Sequence, residues 1–142
     1  MTHGVDTSFL VAVEVSSHAE HGSVRARFQK ILKAGDTFAL APQILAEFIH
    51  IVTDPRRFST PLELEPAIER AETWWNAAEA VHVFPTTEST LLFLVWLNDH
   101  RLGRKRLLDT MLASTFKAGD VTSILTLNRD DFEIFGSFTF PK

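Results

Sequence analysis

The chain has 142 residues, room for one domain with an ordinary core and not for two. Hydrophobic residues at 45% and charged residues at 23% are typical of a globular protein, and the absence of cysteine excludes disulfides, thiolate metal sites and cysteine nucleophiles. Fourteen Lys and Arg against eighteen Asp and Glu give a net charge of −4, an unusual balance for a chain that binds nucleic acid.

Elements alternate along the chain. Residues 3–6 read as a short strand ending at Asp6, followed by a helix over Thr7–Val15 and a second from about His18 to Ala34, with Val24, Phe28, Ile31 and Leu32 at helical spacing and Gly35 as the stop. Thr37–Ala41 is a buried-type strand. Pro42 then opens a helix whose apolar stripe is Ile44, Leu45, Phe48, Ile51 and Val52, and Asp54-Pro55 ends it. After a loop at 55–62 come a helix at about 63–78, a strand at Val81–Phe84 and a helix from Thr87 to about His100. A basic connection, RLGRKR at 101–106, leads into a helix over Leu107–Ala118 closed by Gly119. Val121–Thr126 is a strand, Arg129–Phe135 a short helical turn and Ser137–Phe140 an edge strand. This alternation predicts an α/β fold, a three-layer α/β/α sandwich around a mainly parallel sheet, as a single domain over 1–142. The first ten residues show no basic segment leading into a long apolar run, and the apolar stretch Leu91 to Leu97 falls far short of the roughly 20 residues of a membrane helix. No membrane association and a cytoplasmic location are the expectations that follow.

Four acids stand where this organisation puts ligands. In parallel α/β sheets the binding crevice lies beyond the carboxyl ends of the strands. Asp6 ends the first strand, Asp131 follows the last long one, and Asp109 lies in the first turn of a late helix. Glu47 shares a helical face with Ile44 and Ile51, where a carboxylate is costly unless paired or metal-bound. Taken singly each has an ordinary structural role: Asp6 as a helix cap, Glu47 as the solvated edge of its stripe, Asp109 as a partner of the helix dipole, Asp131 as a turn former. Taken together they form a cluster that needs a cation, and oxygen ligands suit a hard ion, Mg²⁺ or Mn²⁺. These four acids equal the whole excess of negative charge, so the remainder of the chain is neutral. The six histidines show no metal-binding spacing and read as surface or core residues.

The same residues carry a resemblance. VDTSFLVA at 5–12, with Asp6 and Ser8, resembles the opening motif of the PIN-domain nucleases and, within them, of the VapC toxins of bacterial toxin–antitoxin pairs. ILAEFIHIVTDP at 44–55 is similar to the family helix that bears a glutamate, here Glu47. LLDTMLAS at 107–114 resembles the third motif, with Asp109, and TLNRDDF at 126–132 resembles the closing one, with Thr126, Asn128 and Asp131. The resemblance spans essentially the whole chain, in order. It departs at Asn128, where many members carry an acid, and at Leu112, where some related nucleases carry a second acid.

The resemblance implies a metal-dependent endoribonuclease in which Asp6, Asp109 and Asp131 hold Mg²⁺, Glu47 orients or deprotonates the attacking water, and Ser8, Thr126 and Asn128 support them. It also implies a homodimer and a small VapB-type antitoxin that covers the site. Arg101, Arg104, Lys105 and Arg106, together with Arg56 and Arg57, are candidates for phosphate contacts with RNA, the alternative being a solvated loop. Trp74, Trp75 and Trp96 read as core or interface residues, with one of the adjacent pair exposed. A PIN nuclease of RNA maturation or decay and a catalytically silent PIN-like interaction module are the alternatives. A haloacid dehalogenase-type phosphatase needs a second Asp where Ser8 stands, and a response-regulator receiver needs an acidic pair where Val5-Asp6 offers one acid.

Overall fold

The computed structural model describes residues 1–142. Four short strands, β1 (Thr2–Val5), β2 (Thr37–Leu40), β3 (Ala80–His82) and β4 (Ser123–Leu125), form one sheet in the spatial order β3-β2-β1-β4, and every pairing is parallel. Seven helices connect and cover them: α1 (Thr7–Glu14), α2 (His21–Lys33), α3 (Pro42–Val52), α4 (Leu64–Trp75), α5 (Thr87–Asp99), α6 (Leu107–Ala118) and α7 (Asp130–Glu133), with a 3₁₀ turn at Arg104–Arg106 before α6. None of them is long and apolar enough to cross a membrane.

Register explains the layering. Gly4 lies beside Ala39 on one side and Ile124 on the other, so these residues share one face of the sheet, while His3 and Phe38 share the opposite face. A Cβ at Gly4 would stand 2.7 Å from the ring of Phe116, which places α6 against that face. Phe38, on the other face, packs against Phe28 of α2 and Trp74 of α4 at ring separations of 5.5 and 5.2 Å. Helices α1 to α4 pack among themselves, and α5 packs along α6. The result is the three-layer sandwich expected from the alternating pattern.

Gly4 is therefore required for close approach, since Phe116 is fully buried and its ring has little room to yield. We expect Gly4→Ala to destabilise the fold by about 1–3 kcal/mol through overpacking. Urea denaturation checks this, and stability equal to wild type would show that the ring moves freely.

Several boundaries differ from the sequence expectation. Helix α2 begins at His21, not His18, because His18 closes a turn: its N–H donates to Val15 O and its Nδ1 accepts from the Glu20 N–H. Segment 137–140 is not a strand but a single parallel bridge between Ser123 and Thr139. Pro141 lacks a donor and cannot extend that ladder. The tryptophans are packed. Trp74 is buried and donates its Nε1–H to Glu14, Trp75 stacks on His82 at 3.5 Å, and Trp96 stacks on Phe135 at 4.4 Å.

Strand order also locates the crevice. From β1 the chain builds outward through β2 and β3, then returns to lay β4 on the other side of β1. Connections leave β1 and β4 in opposite directions, and the gap between them at their carboxyl ends is the ligand position of this architecture.

Candidate active site

Asp6 sits at that gap. Its N–H still donates to Leu125 O at 3.0 Å, extending the β1–β4 ladder by one bond, while its side chain caps α1 by accepting from the Thr7 N–H at 2.8 Å. The second carboxylate oxygen accepts from two hydroxyls, Ser8 at 2.9 Å and Thr126 at 2.7 Å. Those hydroxyls are fixed in turn, because Ser8 Oγ accepts from the Leu127 N–H and Thr126 Oγ1 from the Asn128 N–H. The strand ends β1 and β4 are thus laced together around one buried carboxylate. Burial raises the pKa of Asp6 above the ordinary carboxylate value; the hydroxyls of Thr126 and Ser8 and the Thr7 N–H oppose that shift, and the nearby Asp131 charge adds to it.

Glu47 approaches from α3. Its Oε2 accepts from the Thr7 hydroxyl at 3.0 Å, so Thr7 ties two acids together through its N–H to Asp6 and its Oγ1–H to Glu47. The carboxyl is half-buried, and burial raises its pKa, with the Thr7 hydroxyl lowering it and Asp6 raising it further. That direction moves a carboxylate toward the range in which it serves as a base near neutrality.

Asp109 is the third residue of α6 and lines the same cleft as Asp6 and Glu47. Its pKa is pushed up to about 6, first by burial and then by the charges of Asp6 and Asp131; Arg106 lowers it and Glu47 adds a further rise. Three separate acids thus act on it through space, which is the electrostatic signature of convergence. Asp131 is the second residue of α7, and its N–H donates to Asn128 O. Arg106 reaches both: its Nε lies 3.7 Å from Asp109 Oδ2 and its Nη1 3.8 Å from Asp131 Oδ1, and its Nη2 donates to the Asp131 backbone carbonyl.

The four acids, with Thr7, Ser8 and Asn128, line one cleft of about 560 Å³. Of the six candidate RNA-contacting cations, Arg57 lines it and Arg106 pairs with two of its acids. Arg101, Arg104 and Lys105 are exposed outside the lining, and Arg56 is held 3.4 Å from Asp54. The sequence reading missed Thr7, which has no apolar or charge pattern to single it out. It also missed His18, half-buried at the cleft wall, because a turn between two helices leaves no periodic signal.

Chemistry of the donors matches a hard divalent cation: four carboxylates supply negative oxygen, and their mutual repulsion is visible in Asp109. In this arrangement no three His, Asp or Glu side chains hold an ion by themselves.

The family model described as PIN domain matches residues 5–136. The chain belongs to the PIN-domain family. The chain is 25% identical over 128 residues to Ribonuclease VapC31 of Mycobacterium tuberculosis, covering 89% of this chain and 88% of that one. Its fold is shared with VapC20 of Mycobacterium tuberculosis, described as a Sarcin-Ricin loop cleaving toxin, at a TM-score of 0.73 and 16% identity over 100% of both chains. It is shared also with VapBC-1 of nontypeable Haemophilus influenzae, at a TM-score of 0.71 and 14% identity over 100% of this chain and 98% of that one. A third match is VapBC2 of Rickettsia felis, solved with a promoter DNA fragment, at a TM-score of 0.69 and 16% identity over 99% and 97%.

Proposed function

We propose that this PIN-domain protein is a Mg²⁺-dependent endoribonuclease, with Mn²⁺ as an alternative ion, and the VapC-type toxin of a type II toxin–antitoxin pair. The observation that carries the reading is the four-carboxylate cleft at the β1–β4 gap, with Asp109 pushed up to about 6 by burial and its neighbours. Similarity to a protein named Ribonuclease VapC31 supports RNA as the substrate.

In this reading Asp6 and Asp109 bind the ion directly or through water, Asp131 completes the shell, and Asn128 at the cleft wall shares the role of Asp131. When bound, the ion supplies Lewis acidity to a phosphoryl oxygen and activates water. Ser8 and Thr126 fix the Asp6 carboxylate by donating to its second oxygen. Thr7 holds Glu47 where it can take a proton from the attacking water. In-line attack leaves a 5′-phosphate and a 3′-hydroxyl. Arg57 and Arg106 are the cations placed to meet RNA phosphates beside the acids, with Arg101, Arg104, Lys105 and Arg56 further out. The protein acts where its RNA is, in the cytoplasm. Incubating wild type and Asp6→Asn with a cellular RNA pool, with Mg²⁺ and with chelator, tests the reading: cleavage at discrete sites that needs both the ion and Asp6 supports it.

Two partners belong to the reading. An antitoxin of VapB type covers the cleft, as the pairing in the names of two fold relatives supports. A second copy of the chain covers α5, whose Leu91, Leu94 and Val95 lie at helical neighbour spacing and are 61%, 55% and 50% exposed. Leu94→Arg places a charge in the middle of that stripe. We expect sedimentation velocity to show a dimer for wild type and a monomer for the variant, with the circular dichroism spectrum unchanged. A variant that stays dimeric removes α5 as the interface.

A further inference from the structure

Arg106 stands apart from the basic run that contains it. Arg101, Arg104 and Lys105 are exposed and form no ion pair, whereas Arg106 is half-buried and its Nε is shielded from solvent with no hydrogen-bond partner. It is also the only cation within ion-pair distance of any of the four cleft acids. The cause is local. The 3₁₀ turn at Arg104–Arg106 runs directly into α6, so the last residue of the turn precedes Asp109 by one helical turn and faces the same way.

The two kinds of contact Arg106 makes differ. Its Nη2 is anchored by a hydrogen bond to the Asp131 backbone carbonyl. Its approaches to the two carboxylates, at 3.7 and 3.8 Å, exceed hydrogen-bond length and are purely electrostatic. Pairs of this kind contribute little, and the anchor is to a backbone oxygen and not to either carboxylate.

We propose that Arg106 is a resident counter-ion for Asp109 and Asp131, occupying both carboxylates before a divalent ion enters and competing with that ion for them. The inference rests on the metal-dependent reading of the cleft. Arg106 is then a positioning residue that sets the affinity of the site for its ion: it stabilises the ion-free acids, and its charge repels the incoming dication. Bringing a dication beside a fixed guanidinium in a hydrated site costs a few kT, so removing the guanidinium charge tightens binding by about tenfold.

Mn²⁺ titration of the purified protein, read by the electron paramagnetic resonance signal of the free ion, tests this without reference to cleavage. Arg106→Gln is expected to bind Mn²⁺ about tenfold more tightly than wild type, and Arg106→Lys, which keeps the charge, to bind like wild type. Binding by Arg106→Gln that is unchanged or weaker overturns the inference. So does tightening by the glutamine and lysine variants alike, since loss of the fork and not of the charge would then be responsible. Asp109→Asn in parallel separates the two readings. If it abolishes Mn²⁺ binding while Arg106→Gln leaves it unchanged, the counter-ion role fails and the metal site stands; if no variant and no wild type binds Mn²⁺, both fail.

Discussion

Asp6→Asn is expected to reduce RNA cleavage by about 10³-fold or more while leaving the fold intact. The size follows from the role. An ion held at the cleft contributes several kcal/mol of transition-state stabilisation, and each roughly 1.4 kcal/mol is a factor of ten in rate. Asn removes the negative charge that the cleft lends to that ion and keeps the shape. Structural tolerance follows from the hydrogen bonds. An Asn oxygen still accepts from the Thr7 N–H and caps α1 nearly as well as Asp does. The amide nitrogen then faces the Ser8 and Thr126 hydroxyls, which can turn to accept, because each already serves as an acceptor for one backbone N–H and has a lone pair to spare. Circular dichroism and melting temperature close to wild type, with product release from a labelled RNA at background, are the expected results. Cleavage at the wild-type rate would remove Asp6 from the mechanism.

The second expectation concerns stability. In chelator near neutral pH, Asp109→Asn should be more stable than wild type by about 1–2 kcal/mol, a figure reduced for the screening of a carboxylate about one-third exposed. Asp109 titrates at about 6 when folded and near 3.8 when unfolded. Between those values the folded chain holds the extra proton, so wild-type stability falls as pH rises through the interval, and the whole cost of ionising Asp109 is present above about 6. The advantage of the variant therefore shrinks on acidification and vanishes below 3.8, where the acid is neutral in both states. Millimolar Mg²⁺ should act oppositely, raising the melting temperature of wild type near neutral pH and leaving Asp109→Asn unmoved, because a ligand that binds only the folded state stabilises it. Equal stabilities across the pH range in chelator would show that the acids do not strain the fold.

Much of the fold was legible in the chain. The alternation of strand-like and helix-like periods gave the three layers, and Pro42, Gly35 and Gly119 marked helix ends within a residue or two of those observed. Two features escaped. The turn at His18 looks helical because its residues tolerate a helix and the choice lies in local side-chain bonds. Segment 137–140 alternates like a strand, yet pairs at one point, since pairing depends on where the sheet edge stands and not on the segment alone.

Of the candidate site, the acids and their order along the chain were open to reading, because a carboxylate on an apolar helix face or at a strand end departs from the local pattern; the ordered motifs likewise carried membership of the PIN-domain family. Partnership was not open to reading. That Thr7 joins Asp6 to Glu47, that His18 lines the cleft, and that Arg106 reaches Asp131 beyond its helical neighbour Asp109 all depend on contacts between residues distant in sequence. Sequence by itself determines periodicity, capping and the kind of charge at each position, because these are local. Which charges meet is decided by the crossing of the chain from β3 back to β4 on the far side of β1, a tertiary event that brings residues 6, 47, 109 and 131 around one cleft.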